Sequence, residues 1–215
     1  SFMIMLARHL PTALNRFRDG KFGAPLGQCL WQSSATIIGY GAIGQEINRR
    51  LQGFGVSVTA ISRYGPNSSR KRDLSVRPKG HFPIEKATEA VSNADFVIVT
   101  APGNPENIDL VGDKIIQNMK KGSYLINVAR GSVVNYDALL SGLKSGHLAG
   151  AALDVFWQEP FDPNDPIMKE NVIATPHIGG ATDKSLRGIG RAVAVNVNFI
   201  RNGQFPKNCV NLTPD

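Results

Sequence analysis

Six short apolar runs, at residues 36–39, 56–61, 95–100, 123–128, 148–155 and 171–175, recur along a chain of 215 residues. They are nearly continuous rather than alternating, the pattern of strands buried on both faces of a parallel sheet. Parallel neighbours cannot be joined by a tight turn, so each strand needs a right-handed crossover. Helix-patterned segments stand where those crossovers belong. The clearest carries Ile43, Ile47, Leu51 and Phe54 on one stripe, with polar residues elsewhere. Others span 85–91, 112–120 and 135–144, the last ending at Gly146. Alternating strand and helix predicts an α/β, doubly wound parallel sheet.

The two ends differ from this middle. Met3, Leu6, Leu10, Leu14 and Phe17 recur at helical spacing, with Pro11 as the expected break. Leu186, Ile189, Val193, Val197 and Ile200 form a second stripe. Two terminal helices outside the sheet are expected, linking to another domain or subunit. The longest apolar runs fall far short of the roughly 20 residues that cross a bilayer, so no membrane span is expected. Cys29 and Cys209 lie far apart in no metal-type spacing, which argues against a disulfide scaffold and against a metal site. Asn67-Ser68-Ser69 and Asn211-Leu212-Thr213 fit the glycosylation pattern, but nothing else indicates secretion.

A formal net charge of +7 raises the question of nucleic acid. The basic residues are scattered, apart from Arg70-Lys71-Arg72 in a loop-like stretch, so no nucleic-acid partner is expected; the balance also suits an anionic small ligand.

The first strand-and-helix pair carries Gly39-x-Gly41-x-x-Gly44. Gly39 permits the tight turn that leaves the strand. Gly41 lets backbone amides approach a pyrophosphate, and Gly44 lets helix and strand pack closely. The helix then offers free N–H groups and a positive dipole end to the anion. With a strand before it and a second strand beyond, this is a dinucleotide-binding fingerprint in a Rossmann domain. Roughly 20 residues on, a carboxylate usually holds the ribose of NAD. Here Ser62 and Arg63 stand in that place. A hydroxyl and a guanidinium fork suit a 2′-phosphate, so NADP(H) is expected in preference to NAD(H). Arg63 also reads, more plainly, as a surface arginine at a strand end.

Three further segments follow later strands, at the edge where such sheets bind ligands. They are Asn127-Val128-Ala129-Arg130-Gly131, Asp154-Val155-Phe156-Trp157-Gln158-Glu159-Pro160 and Thr175-Pro176-His177-Ile178-Gly179-Gly180. Singly, each has an ordinary structural explanation. An arginine, a glutamate and a histidine together at one edge, beside a dinucleotide site, point to catalysis.

The motifs GYGAIG, INVARGSVVNYDAL, GHLAGAALDVFWQEP and NVIATPHIGGAT stand in this order along the chain. In them the chain resembles the D-isomer-specific 2-hydroxyacid dehydrogenases, which include glyoxylate/hydroxypyruvate reductases and phosphoglycerate dehydrogenases. The resemblance implies an enzyme that interconverts a small 2-oxo acid and its D-2-hydroxy acid with NAD(P)(H). Arg130 would bind and polarise the 2-oxo acid, His177 would be the acid/base, and Glu159 would orient the imidazole. It places Ala42, Ile43 and Gly44 at the pyrophosphate, and Thr100, Ala101 and Pro102 beside the adenosine half. Asp154 would lie near the nicotinamide, with Val128, Ala129, Arg130, His177 and Gly179 completing the cofactor's surroundings.

The family's substrate domain mostly precedes the cofactor domain. The expected organisation is therefore an interdomain linking helix at 1–20, a Rossmann domain at 21–180, and a helix and tail at 181–215 returning toward a substrate domain. The segment ahead of Ser1, inside an apolar run, is expected to be missing, leaving cofactor binding with little turnover and an apolar face at residues 2–6 without its partner. A homodimer is expected. The cytoplasm is the expected compartment, an organelle remaining open because a targeting sequence before Ser1 would not be seen. The alternative is a non-catalytic NAD(P)-sensing module acting through protein partners; the intact Arg130, Glu159 and His177 favour the enzyme.

Overall fold

The computed structural model describes residues 1–67 and 76–209. The basic run Arg70-Lys71-Arg72 and the serines and threonine of both glycosylation patterns lie outside them. The chain divides into two units, Ser1–Pro176 and His177–Asp215.

Among the described residues, the first unit is built on seven parallel strands: β1 (Ser34–Ile38), β2 (Ser57–Ser62), β3 (Gly80–Pro83), β4 (Phe96–Val99), β5 (Ser123–Asn127), β6 (Leu148–Leu153) and β7 (Val172–Ala174). Their order is β3-β2-β1-β4-β5-β6-β7, so the winding reverses between β1 and β4. This is the doubly wound arrangement in which ligands bind beyond the carboxyl ends of the strands, at the reversal. The register makes those ends level. Ile38 pairs with Ile61 and Val99, Asn127 with Val99 and Leu153, and Leu153 with Ala174. The residues that follow each strand therefore leave from one edge.

β3 is a strand that the apolar pattern does not predict. Its residues Gly-His-Phe-Pro are all half-buried, and among the described residues it pairs on one side only, with β2. A four-residue edge strand ending in proline carries too little apolar run to be read.

Helices pack on both faces: α3 (Ala42–Gly53), α4 (Ala87–Val91), α5 (Asp113–Asn118) and α6 (Tyr136–Lys144). Burial forms two layers. One gathers Val97, Val99, Leu125 and Leu153 with Ile115, Ile116 and Leu139; the other gathers Ile37, Val58, Phe96, Ile98 and Ile126 with Leu51. Each fully buried side chain of this size contributes about 1.5–3 kcal/mol relative to exposure. α6 shows how local chemistry fixes an end: the Asn135 side chain accepts from the Ala138 amide at 2.9 Å, and Gly146 past its C-terminus has φ +68°.

The N-terminal stripe departs from expectation. It forms two helices, α1 (Phe2–Ala7) and α2 (Leu10–Arg18). The break falls at Arg8 and His9, where His9 has φ 48°, and Pro11 sits in the first turn of α2. Proline is tolerated there because the amide it lacks has no partner in that turn. Met3 and Leu6 are buried in the second core layer with the sheet, so the face at residues 2–6 has its partner within this unit. Leu14 and Phe17, on α2, are exposed.

α3 also turns differently. It buries Gly44, Asn48 and Leu51, while Ile43 and Phe54 are exposed. The buried Asn48 is satisfied by donating to the Tyr40 hydroxyl at 2.6 Å.

In the second unit, α7 (Asp183–Arg201) opens with a reciprocal cap. The Thr182 hydroxyl accepts from the Ser185 amide and the Ser185 hydroxyl accepts from the Thr182 amide, each at 3.1 Å. Leu186, Ile189, Val193, Val197 and Ile200 are all exposed along it. The Asn196 side chain holds the following tail, donating to the Lys207 carbonyl and accepting from its amide. No helix among the described residues is long and apolar enough to cross a membrane.

Candidate active site

The turn after β1 is where a dinucleotide would enter. Gly39 has φ +99°, and a Cβ on it would lie 2.4 Å from the Ala101 amide nitrogen. The loops after β1 and β4 therefore touch at this glycine. Thr100 reinforces the contact: its amide donates to the Ile38 carbonyl at 2.8 Å and its hydroxyl to the Gly39 carbonyl at 2.5 Å. Thr100 thus shapes the glycine loop with its own side chain. A Cβ on Gly44 would meet the Gly39 carbonyl oxygen at 2.6 Å, so the helix also sits close on the turn.

Gly41 is different. Among the described residues, a Cβ there would meet nothing within 4 Å. It is the N-cap of the 12-residue α3, with no side-chain cap, so the first amides of that helix face an open approach. That combination fits a pyrophosphate: open space, free donors and a positive dipole end. Ala42 and Ile43, exposed on the first turn, border it.

At the end of β2, the Ser62 hydroxyl lies 3.2 Å from the Gly65 carbonyl oxygen and 2.8 Å from Nε2 of His81. The Arg63 guanidinium pairs with the carboxylate of Glu106, in the loop after β4, and both side chains are about half exposed or more. Asn107 steadies that loop by donating to the Pro102 carbonyl at 2.8 Å.

Arg130 is positioned by a residue that the motif alone does not single out. Asn127 ends β5 fully buried, and its side-chain oxygen accepts from the Ala129 amide at 3.0 Å. Its side-chain nitrogen donates to the Arg130 carbonyl at 2.9 Å. A polar side chain buried at a strand end must be bonded, and this one spends its bonds folding the turn that presents Arg130. Val128 continues the turn by donating from its amide to Val99 at 3.3 Å. The Arg130 side chain runs over Gly103, where a Cβ would lie 2.4 Å from the arginine Cγ.

The next residue brings two segments together. A Cβ on Gly131 would lie 2.1 Å from the carbonyl carbon of Phe156. The Arg130 turn thus rests directly on the backbone that leads to Glu159. Glu159 is exposed, and its Oε1 accepts from the Phe156 amide at 3.1 Å. Trp157 anchors this stretch by donating from Nε1 to the Val134 carbonyl at 2.6 Å, with its ring edge-on to Tyr136. The Tyr136 hydroxyl donates to Asp165 at 2.7 Å. Removal from water first, and the Asp165 carboxylate second, push the Tyr136 phenol up to about 12.

Asp154 is buried at the end of β6 and accepts from the Thr175 hydroxyl at 2.5 Å, tying the ends of β6 and β7. His177 and Gly179 belong to the second unit. His177 is a non-glycine residue with φ 54°, a left-handed conformation that costs energy and recurs at functional positions.

A reversed parallel sheet with a glycine turn opening onto a helix N-terminus defines this chain as an α/β dinucleotide-binding protein. The finer assignment follows from comparison with known proteins. The chain belongs to the D-isomer specific 2-hydroxyacid dehydrogenase family, whose NAD binding domain matches residues 1–179. It is 37% identical over 187 residues to a glyoxylate reductase of Thermococcus gammatolerans, covering 86% of this chain and 54% of that protein. It is 30% identical to a D-3-phosphoglycerate dehydrogenase of Methanocaldococcus jannaschii over 98% of this chain and 39% of that one. The chain spans about half the length of the curated relatives it matches. Among solved structures, a D-isomer specific 2-hydroxyacid dehydrogenase from Xanthobacter autotrophicus Py2, in complex with NADPH and MES, is similar with TM-score 0.80 and 28% identity. That match covers 97% of this chain and 83% of the other.

Proposed function

We propose that this chain forms the cofactor-binding part of an NADP(H)-preferring reductase of a small 2-oxo acid, of the glyoxylate or hydroxypyruvate type. The carrying observation is the Arg130 turn seated on the segment that leads to Glu159, at the sheet edge that also bears the open glycine turn. A pure binding module has no need of that pairing.

When bound, the nicotinamide supplies the hydride. Arg130 binds the substrate carboxylate and polarises the carbonyl through its guanidinium fork. His177 protonates the carbonyl oxygen, as an imidazole can near neutral pH. Glu159 would accept from the other imidazole nitrogen and stabilise the imidazolium, the role that the family resemblance implies for it. Asp154, held by Thr175, would lie beside the nicotinamide end.

The 2′-phosphate of NADP(H) goes to Ser62 and Arg63. Neither carries a charge that would repel it. The Glu106 carboxylate now paired with Arg63 sits in water, where such pairs are weak, and a phosphate dianion can replace it. The NADPH complex of the Xanthobacter relative lends support to this reading. The relatives named as glyoxylate reductases support the substrate class. The exposed stripe of α7 supports a homodimer or a second domain as the covering surface.

The test is NADPH oxidation with glyoxylate and hydroxypyruvate by the full gene product, comparing wild type with His177→Ala. Most turnover should be lost while NADPH affinity stays nearly intact. Turnover retained in His177→Ala would remove His177 from the acid/base role.

A further inference from the structure

One imidazole joins three elements around the proposed phosphate site. His81 lies on the edge strand β3, whose register sets Ala60 beside His81 and Ser62 beside Pro83. Its Nε2 is 2.8 Å from the Ser62 hydroxyl oxygen. Its ring stands edge-on to Tyr40, with centroids 5.4 Å apart. Tyr40 is the middle residue of Gly39-Tyr40-Gly41 and is buried, its hydroxyl donating to the Val76 carbonyl at 3.2 Å and accepting from Asn48. His81 therefore reaches the glycine turn and the end of β2 together.

The serine has a single hydroxyl proton. The Gly65 carbonyl, 3.2 Å away, can only accept it. Neutral imidazole at Nε2 either accepts that proton or donates its own. If Nε2 accepts, Ser62 turns a lone pair outward and repels an anionic oxygen. If Nε2 donates, Ser62 keeps its proton, held by the Gly65 carbonyl at 3.2 Å until a phosphate oxygen, whose charge-assisted bond is the stronger, draws it away. The free ribose 2′-hydroxyl of NAD(H) both donates and accepts, so either arrangement serves it. A phosphate dianion only accepts, and only one arrangement serves it.

We propose that His81 is a specificity-determining positioning residue: by donating from Nε2 to Ser62, it turns the serine hydroxyl into a donor for the 2′-phosphate of NADP(H). This rests on the reading of Ser62 and Arg63 as the 2′-phosphate site. His81 acts on discrimination between the two cofactors, and leaves binding of the rest of the dinucleotide unchanged.

The experiment uses adenosine 2′,5′-bisphosphate and adenosine 5′-monophosphate as probes, titrated calorimetrically into the chain and three variants. His81→Phe keeps the ring against Tyr40 and removes the donor. His81→Gln keeps an amide donor. Arg63→Ala reports on the phosphate site itself. His81→Phe should weaken the bisphosphate roughly three- to tenfold, the weight of one hydrogen bond to an anion-facing hydroxyl, and leave the monophosphate within about twofold. His81→Gln should recover most of the loss. If His81→Phe binds the bisphosphate as wild type does, or weakens both probes alike, the role assigned to His81 is wrong. If wild type binds both probes equally and Arg63→Ala changes neither, the phosphate-site reading falls, and this inference falls with it. Discrimination lost in Arg63→Ala but kept in His81→Phe overturns the His81 role alone.

Discussion

Gly131 and Phe156 approach so closely that a methyl group on the glycine would lie 2.1 Å from the phenylalanine carbonyl carbon. Both are buried, and the segments they belong to carry Arg130 and Glu159. Neither backbone can give way without moving one of those side chains. Gly131→Ala is therefore predicted to destabilise the chain by about 1–3 kcal/mol, as overpacking does. In the full gene product it should also raise the KM for the 2-oxo acid. Thermal unfolding and steady-state kinetics check both; wild-type stability and KM together would show that the two segments move independently.

The first two glycines of the fingerprint have separable roles. Gly39 has a left-handed φ and backbone against it, whereas Gly41 has open space. Gly39→Ala is predicted to cost on the order of 1–3 kcal/mol of stability. Gly41→Ala should unfold within about 0.5 kcal/mol of wild type yet lose roughly tenfold or more in dinucleotide affinity, because its methyl occupies the approach of the pyrophosphate. Chemical denaturation and cofactor titration of the pair distinguish them. Equal affinity in Gly41→Ala would mean that the phosphate enters elsewhere.

Tyr136 links pH to the loop that holds Glu159. Its phenol, ordinarily near 10, is raised to about 12 by burial and by Asp165. A raised phenol means that the fold favours the neutral form. Its contribution is therefore complete below about 10 and disappears as pH rises through about 12. Tyr136→Phe keeps the ring against Trp157 and removes the bond to Asp165. It should be less stable than wild type by ~1 kcal/mol at neutral pH, with the gap closing across that alkaline interval. Denaturant midpoints measured against pH supply the check, and a gap that stays constant would contradict it.

Much of this architecture is written locally. Continuous apolar runs announce six of the seven strands, and the spacing of Gly39, Gly41 and Gly44 announces the site they open onto. What escapes is tertiary. β3 is four residues ending in Pro83 on the sheet edge, with no apolar run to read. The stripe from Met3 to Phe17 looks like one face, yet the turn at His9 sends Met3 and Leu6 into the core and leaves Phe17 exposed. Of the stripe Ile43, Ile47, Leu51 and Phe54, Leu51 is buried and Ile47 packs on the core, while Ile43 and Phe54 are exposed, because the close seat of Gly44 and the bond from Asn48 to Tyr40 turn that part of the helix to the sheet. Around the site, Arg130 and Asn127 stand in the same motif, but that Asn127 is buried and folds the turn presenting Arg130 is visible only in the structure. The pairing of Arg63 with Glu106, forty-three positions later in the chain, needs the fold to be seen.

The central claim is that the open glycine turn and Ser62-Arg63 together make an NADP(H)-preferring site. Calorimetric titration of the chain with NADPH and with NADH, at one ionic strength, tests it most directly. The account predicts NADPH binding tighter by roughly tenfold or more, with the advantage lost in Arg63→Ala. Equal affinities, or tighter NADH, would contradict it.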